Sequence, residues 1–209
     1  MLLPTPKIRG GKSLSESLRR RQTVREISPR KLSRQLLSNL LWAACGVNRP
    51  IGPFGGAGIT AASASNSQEI ELFVALEGGA FLFEARRHRI VPVVASDLRA
   101  MAIGVGQRNV AMKAPVQLLY VADIDRLTHT SGFEEPGLHD PEVQKSYYYV
   151  DAGLIASNVY LFAASQGLAA WFHNCDRAGL SRELKLRPQQ RVLFAQTVGY
   201  PERKGRRAQ

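Results

Sequence analysis

Residues 71–85 read Glu71-Leu72-Phe73-Val74-Ala75-Leu76-Glu77-Gly78-Gly79-Ala80-Phe81-Leu82-Phe83-Glu84-Ala85, and this stretch decides the fold class. Two apolar runs, Glu71–Leu76 and Ala80–Ala85, flank a Gly-Gly turn, which is the pattern of a β-hairpin. A hairpin joins antiparallel strands directly, whereas a parallel sheet needs a crossover between each pair. Downstream, Val116–Val121 is apolar but for Gln117 and reads as a central strand buried on both faces. Val192–Val198 reads as a further strand, ended by Gly199-Tyr200-Pro201. Helices and strands alternate without regular βαβ spacing, so the expected class is α+β.

Around these strands the helix signals are uneven. Ser13-Leu14-Ser15-Glu16 fits a capping box before a short helix. Ser33 caps the clearest helix, with Leu36, Leu37, Leu40, Leu41 and Ala44 as its apolar stripe and Gly46 as an expected left-handed stop. Residues 49–69 form a long glycine-containing loop. His88–Pro92 leads away from the hairpin, and Ser96-Asp97 opens an expected helix to about Arg108. After a polar stretch over 125–146, Tyr147 to Gln166 reads as a long helix ended by Gly167. It is apolar almost all round, which places it in a core or a subunit interface. Leu168–Cys175 reads as a strand or turn, and Arg177–Leu186 as a short helix.

The chain has 209 residues, 44% hydrophobic and 22% charged, the composition of one folded domain. Residues 1–12 read as an N-terminal arm, 13–201 as the domain and 202–209 as a basic C-terminal tail. No apolar stretch is long enough to span a membrane as a helix. The start lacks an apolar core of signal length. The chain as given therefore reads as cytoplasmic, or as an exported form whose signal was trimmed. Two cysteines, Cys45 and Cys175, exclude a disulfide scaffold. His88, His129, His139 and His173 have no metal-ligand spacing, and no dinucleotide-binding, P-loop or nucleophile-elbow pattern is present.

The net charge of +11 sits at the two ends. Residues 1–31 and residues 177–209 each carry net +7, and the middle carries net −3. Three readings of this follow: one cationic pocket for a phosphate, two solvated termini, or a nucleic-acid surface. No nucleic-acid motif is visible, and nucleic acid and membrane are not expected partners. Arg21-Gln22-Thr23-Val24-Arg25 favours the pocket. In an extended segment Arg21, Thr23 and Arg25 share one side, and two guanidinium forks with a hydroxyl suit a phosphate. The alternative is a basic helix end that compensates its dipole. Cys175 between Asn174 and Asp176 reads as a thiol nucleophile or, better, as a small buried hydrophobe.

Six segments in order resemble the nitroreductase-like flavoproteins, more closely the branch of the azoline (thiazoline and oxazoline) dehydrogenases. They are Arg20–Arg25, Leu40–Pro50, Ala61–Glu69, Ala114-Pro115, Asp151-Ala152-Gly153 leading to Gly167-Leu168, and Val198–Pro201. The resemblance implies an α+β domain with a mixed central sheet flanked by helices. It also implies an intertwined homodimer with FMN at the interface. Arg20, Arg21, Gln22, Thr23 and Arg25 would hold the FMN phosphate and ribityl chain. Ser63, Ala64, Ser65 and Asn66 are similar to the segment that lines the flavin from the partner subunit, although Ala62 stands where proline is common. Phe172, His173 and Asn174, after Trp171, resemble the stretch whose backbone amides face the ring and N5; Asn174 stands near a common glycine. Lys204, Arg206 and Arg207 are similar to basic residues that close on the phosphate.

The implied activity is ping-pong reduction of a small-molecule acceptor (nitroaromatic, quinone or similar) by NADH or NADPH through flavin N5. No protein residue is assigned a catalytic role. The alternatives are a flavin-dependent dehydrogenase oxidising an azoline-like substrate and a non-enzymatic flavin-binding protein. A Lys-Tyr pair is expected in the dehydrogenase, and Lys145 lies near Tyr147–Tyr149.

Overall fold

In the computed structural model, which describes residues 1–104, 114–133 and 136–202, every residue of one strand, Val116–Asp123, is buried. Numbering elements along the chain makes this β6. It follows β1 (Val47–Arg49), β2 (Gly58–Ile59), β3 (Ile70–Leu76), β4 (Gly79–Glu84) and β5 (Arg89–Val94), and precedes β7 (Ala169–His173) and β8 (Gln190–Gly199). The main sheet has the order β5-β4-β3-β6-β8-β7, and β1 pairs with β2 apart from it. The resemblance implies a mixed sheet; all pairings among the described residues are antiparallel. The expected hairpin is there, with Leu76 opposite Gly79. His88–Pro92 does not leave the sheet: Arg89–Val94 turns back along β4 as an edge strand, where Pro92 needs no ladder partner on its open side.

The helices are α1 (Leu14–Arg20), α2 (Arg34–Cys45), α3 (Ile124–Thr128), α4 (Pro141–Gln166) and α5 (Arg177–Glu183). Alternation along β6 explains the layers. Leu118, Tyr120 and Ala122 face a core shared with Leu40 and Leu41 of α2 and Ile155 and Val159 of α4. Leu119 and Val121 face the other side, against Leu180 of α5 and Leu98. The N-terminal residues are docked: Leu2 bridges to Arg89, and Leu3 is buried.

Local chemistry sets the helix ends. Ser13 and Ser33 accept the N–H groups of Glu16 and Leu36, as the caps predict. Gly46 ends α2, but with φ −76° and ψ 155°, so it is not left-handed. Its lack of a side chain is needed for space, because a Cβ there would lie 2.6 Å from Trp42 Cα. Helix α4 starts six residues before Tyr147. Asp140 caps it by accepting from Glu142 N at 2.9 Å, and Pro141 occupies the first turn, where a missing N–H costs nothing. Those first turns are polar, so apolar periodicity does not reveal them. Gly167, with φ 68°, ends α4 as predicted. The helix expected from Ser96 is only a turn over Arg99–Ala102; Asp97 Oδ1 takes the Arg99 N–H at 3.0 Å and fixes an Asx turn instead. The rest of that expectation, 105–108, lies outside the described residues.

Candidate functional site

After α1 the chain becomes extended and runs along the outer edge of β7, where Val24 N donates to Ala170 O at 3.0 Å. Tyr160, on α4, joins the two segments. Its hydroxyl accepts the Phe172 backbone N–H at 2.8 Å and lies 3.1 Å from Thr23 Oγ1. The Arg21 guanidinium carbon sits 5.7 Å from the Tyr160 ring centre. Tyr160 and Arg21 line a cleft of about 470 Å³ together with Lys12, Arg19, Arg20 and Gln22, and Thr23 is not among its lining residues. Among the described residues no carboxylate lines it.

The arginines of this segment are not equivalent. Arg19 and Arg20 both bond to Glu16, with Arg19 at 2.8 Å, and hold its carboxyl down at about 2. Among the described residues Arg21 has only its contact with the Tyr160 ring, and it lines the cleft. Arg25 lies 5.5 Å from the centre of the Trp171 ring and is not among the lining residues. Arg21 and Thr23 thus converge on Tyr160, and Arg25 sits further along the β7 edge.

Backbone alternation along β7 matters for the second segment. Ala170 O and Phe172 N face outward, since each bonds to a partner outside the sheet. Phe172 N is therefore already taken, and the same alternation puts Asn174 next on that edge. The Phe172 ring packs on Tyr120 and Phe194. The His173 side chain turns inward: its ring nitrogens lie 2.8 Å from Thr197 Oγ1 and 2.8 Å from Asn174 O, and burial lowers its pKa. Asn174 Oδ1 accepts from Arg177 at 2.7 Å. Lys204, Arg206 and Arg207 lie outside the described residues.

The third segment, Ser63–Asn66, meets α4 near its middle. Ala64 N donates to Asp151 Oδ2 at 2.9 Å. Asp151 and Tyr160 are nine residues apart, about 13 Å along the helix. Ser65, Asn66 and Gln68 all have left-handed backbones, with φ of 47°, 57° and 51°. Local bonds hold this shape: Gln68 N to Ser63 Oγ at 3.0 Å, Ser65 Oγ to Gly132 O at 3.2 Å, and Gln68 Nε2 to Asn66 Oδ1 at 2.9 Å. The two segments therefore meet α4 about 13 Å apart, Ser63–Asn66 near its middle and Arg21–Thr23 towards its C-terminal part.

Sequence reasoning missed Tyr160, Asp151 and Glu69. Tyr160 is hidden in the apolar run of α4. Asp151 was the visible signal, a carboxylate in a helix otherwise apolar nearly all round. Burial pushes the Cys45 thiol up to about 12 and Cys175 up to about 11, so neither is a ready nucleophile at neutral pH. Lys145 pairs with Glu142 at 3.3 Å and its charge also reaches Tyr148, while Tyr147 meets Phe133 edge to face. Among the described residues no cluster of His, Cys, Asp or Glu could hold a metal, and no helix is long and apolar enough to cross a membrane.

Comparison with known proteins gives this geometry its class. Residues 18–200 match the nitroreductase family, and the chain belongs to that family. It is an oxidoreductase family. A crystal structure of a candidate nitroreductase from Ralstonia eutropha is 30% identical, with a TM-score of 0.82 over 98% of this chain and 90% of that one. The E. coli microcin synthetase McbBCD complex contains a similar chain, at 16% identity and a TM-score of 0.70, covering 97% of this chain and 78% of that one. The NADPH:FMN oxidoreductase of Vibrio harveyi, complexed with NAD+, is 18% identical with a TM-score of 0.63, covering 91% and 69%. The last two likenesses concern the fold.

Proposed function

We propose that this protein is a homodimeric, FMN-dependent oxidoreductase that passes electrons from NADH or NADPH to a small-molecule acceptor such as a nitroaromatic or a quinone. The observation that carries the reading is the meeting of Arg21 and Tyr160 in a cationic cleft beside the outer edge of β7, with Thr23 bonded to the same tyrosine. The donor set fits a phosphate, since the cleft offers the Arg21 guanidinium, the Tyr160 hydroxyl and Lys12, while Glu16 engages Arg19 and Arg20 rather than Arg21. The FMN oxidoreductase of Vibrio harveyi, similar in fold, supports the choice of anion.

In this reading Arg21 and Gln22 bind the phosphate end, and Thr23 orients the chain that follows. Backbone groups at Asn174 address the ring. When bound, the flavin supplies two-electron transfer at N5. A donor near its pyrimidine edge would stabilise negative charge there, a role for the Ser63–Asn66 loop of a second subunit. The separation of the two half-sites along α4 supports the dimer. So does an exposed apolar strip, Leu14 and Leu18 on α1 with Val150 and Leu154 on α4.

The test is turnover. Oxidation of NADH or NADPH with a nitroaromatic or quinone acceptor, dependent on added or retained FMN, is expected. Catalysis undiminished after the flavin is stripped contradicts the proposal. Substrate oxidation with reduction of oxygen, and no nicotinamide turnover, reverses its direction.

A further inference from the structure

Beneath the Ser63–Gln68 loop two carboxyls face each other out of water. Glu69, at the start of β3, is fully buried, and Asp151 on α4 is 4% exposed. Their partners Ser67 and Ala64 belong to one tight turn, in which Ser67 N donates to Ala64 O at 2.8 Å, and each carboxyl acts on the ionisation of the other. Ser67 Oγ donates to Glu69 Oε2 at 2.6 Å, and Ala64 N donates to Asp151 Oδ2 at 2.9 Å. Glu69 Oε1 receives no donor among the described residues. Among the described residues neither carboxyl forms an ion pair. Arg126 of α3 bonds instead to Gln68 O, Glu71 and Asp123.

Two adjacent buried carboxylates without a cation repel strongly, and an orphaned buried acceptor adds to the penalty. One proton on Glu69 Oε1 removes both problems, because it turns the orphan into a donor aimed at Asp151. We propose that Glu69 and Asp151 share one proton, and that this acid–carboxylate bridge clamps the Ser63–Gln68 loop to α4. The loop needs a clamp, since Ser65, Asn66 and Gln68 hold backbone angles that side-chain-bearing residues disfavour. Burial, reinforced by the Asp151 charge, pushes Glu69 up to about 7, while Ser67 pulls against it. Burial also raises Asp151, against the Ala64 N–H. Ser67 and Asp151 are the polar groups that face the Glu69 carboxyl; Asp123 N bonds only to its backbone oxygen.

Glu69 and Asp151 are thus positioning residues. With Glu69 protonated, Asp151 keeps its charge for Ala64 N. Once Glu69 ionises, repulsion drives the carboxyls apart and the loop loosens. The consequence for flavin binding rests on the function proposed above; the proton and the loop do not.

The experiment uses the full chain without flavin. Infrared difference titration from about pH 5 to 9 should show a protonated-carboxyl band that vanishes with a midpoint near 7, and Glu69→Gln should lack it. Hydrogen exchange of the peptide containing Ala64, corrected for intrinsic rates, should quicken roughly tenfold across that midpoint. In Glu69→Gln, whose amide N–H replaces the shared proton, the corrected rate should stay flat. A band absent across this range, or the same quickening in Glu69→Gln, overturns the proposal. Should that variant fail to fold, wild type carrying carbon-13 glutamate carboxyls decides by magnetic resonance. A buried glutamate titrating near 7 supports the bridge, and none above about 5 overturns it. A bridge that titrates in a protein that binds no FMN upholds the clamp and removes the cofactor reading alone.

Discussion

Tyr160 Oη lies 3.1 Å from Thr23 Oγ1, and the same oxygen accepts the backbone N–H of Phe172. One hydroxyl on α4 thus ties the arginine-bearing segment to the outer edge of β7. Tyr160→Phe keeps the ring under Arg21 but leaves a half-buried N–H unpaired. That should cost about 1–3 kcal/mol, read as a lower urea midpoint with an unchanged slope. FMN affinity should fall with it. Unchanged stability and affinity would show that the hydroxyl is not a tie.

Arg21 and Arg20 are neighbours in sequence with different employment. Arg20 is already paired with Glu16, whereas Arg21 faces the cleft. Arg21→Ala should weaken FMN binding roughly ten- to a hundredfold in a fluorescence titration. Arg20→Ala should matter much less. Equal effects would point to general charge rather than to a built phosphate contact.

The pH dependence of stability follows from Glu69. Its pKa is raised from 4.5 to about 7 in the fold, so between these values the native state binds more protons than the unfolded chain. Stability should therefore fall as pH rises through this window, by up to about 1.4 kcal/mol per pH unit, and level off above it. His88 and His173, both lowered by burial, contribute with the opposite sign. The difference between wild type and Glu69→Gln isolates the glutamate in urea titrations. A difference independent of pH would rule out the shifted ionisation.

Gly153 is exposed on α4 between Val150 and Leu154, and a Cβ there meets nothing within the chain. A single subunit should tolerate Gly153→Leu, but close packing of a second copy on this strip should not. Light scattering should report a monomer or a weakened dimer. An intact dimer would place the interface elsewhere.

Gly46→Ala tests how α2 ends. The new Cβ would lie 2.6 Å from Trp42 Cα, and relief of that overlap should cost about 1–3 kcal/mol. A urea midpoint equal to wild type would contradict the close approach.

These cases also show what was legible before the fold was known. Periodicity and caps sufficed for α2, the 71–85 hairpin and β6, because burial on one or both faces writes a regular apolar pattern. They failed where a local bond decided the outcome. Asp97 captured the Arg99 N–H and ended a helix before it formed. Asp140 and Pro141 began α4 in a polar stretch. Gly46 looked like a left-handed stop, and only packing against Trp42 shows its purpose. The site was half legible. Arg21 and Thr23 stand out by their charge and spacing, but Tyr160 lies nine residues along a helix from Asp151, and its contact with Thr23 spans 137 residues of chain. Glu69 stood only as the last residue of the 49–69 loop, since nothing in sequence shows that Asp151 faces it.

The central claim is that this fold holds FMN. The most direct measurement is the visible absorbance of the purified protein, followed by denaturation and chromatography of what is released. The account predicts a flavin spectrum and FMN at about one per chain, retained or taken up on addition. A colourless protein that also fails to take up FMN would contradict it, and would leave the Arg21 cleft to a different anion.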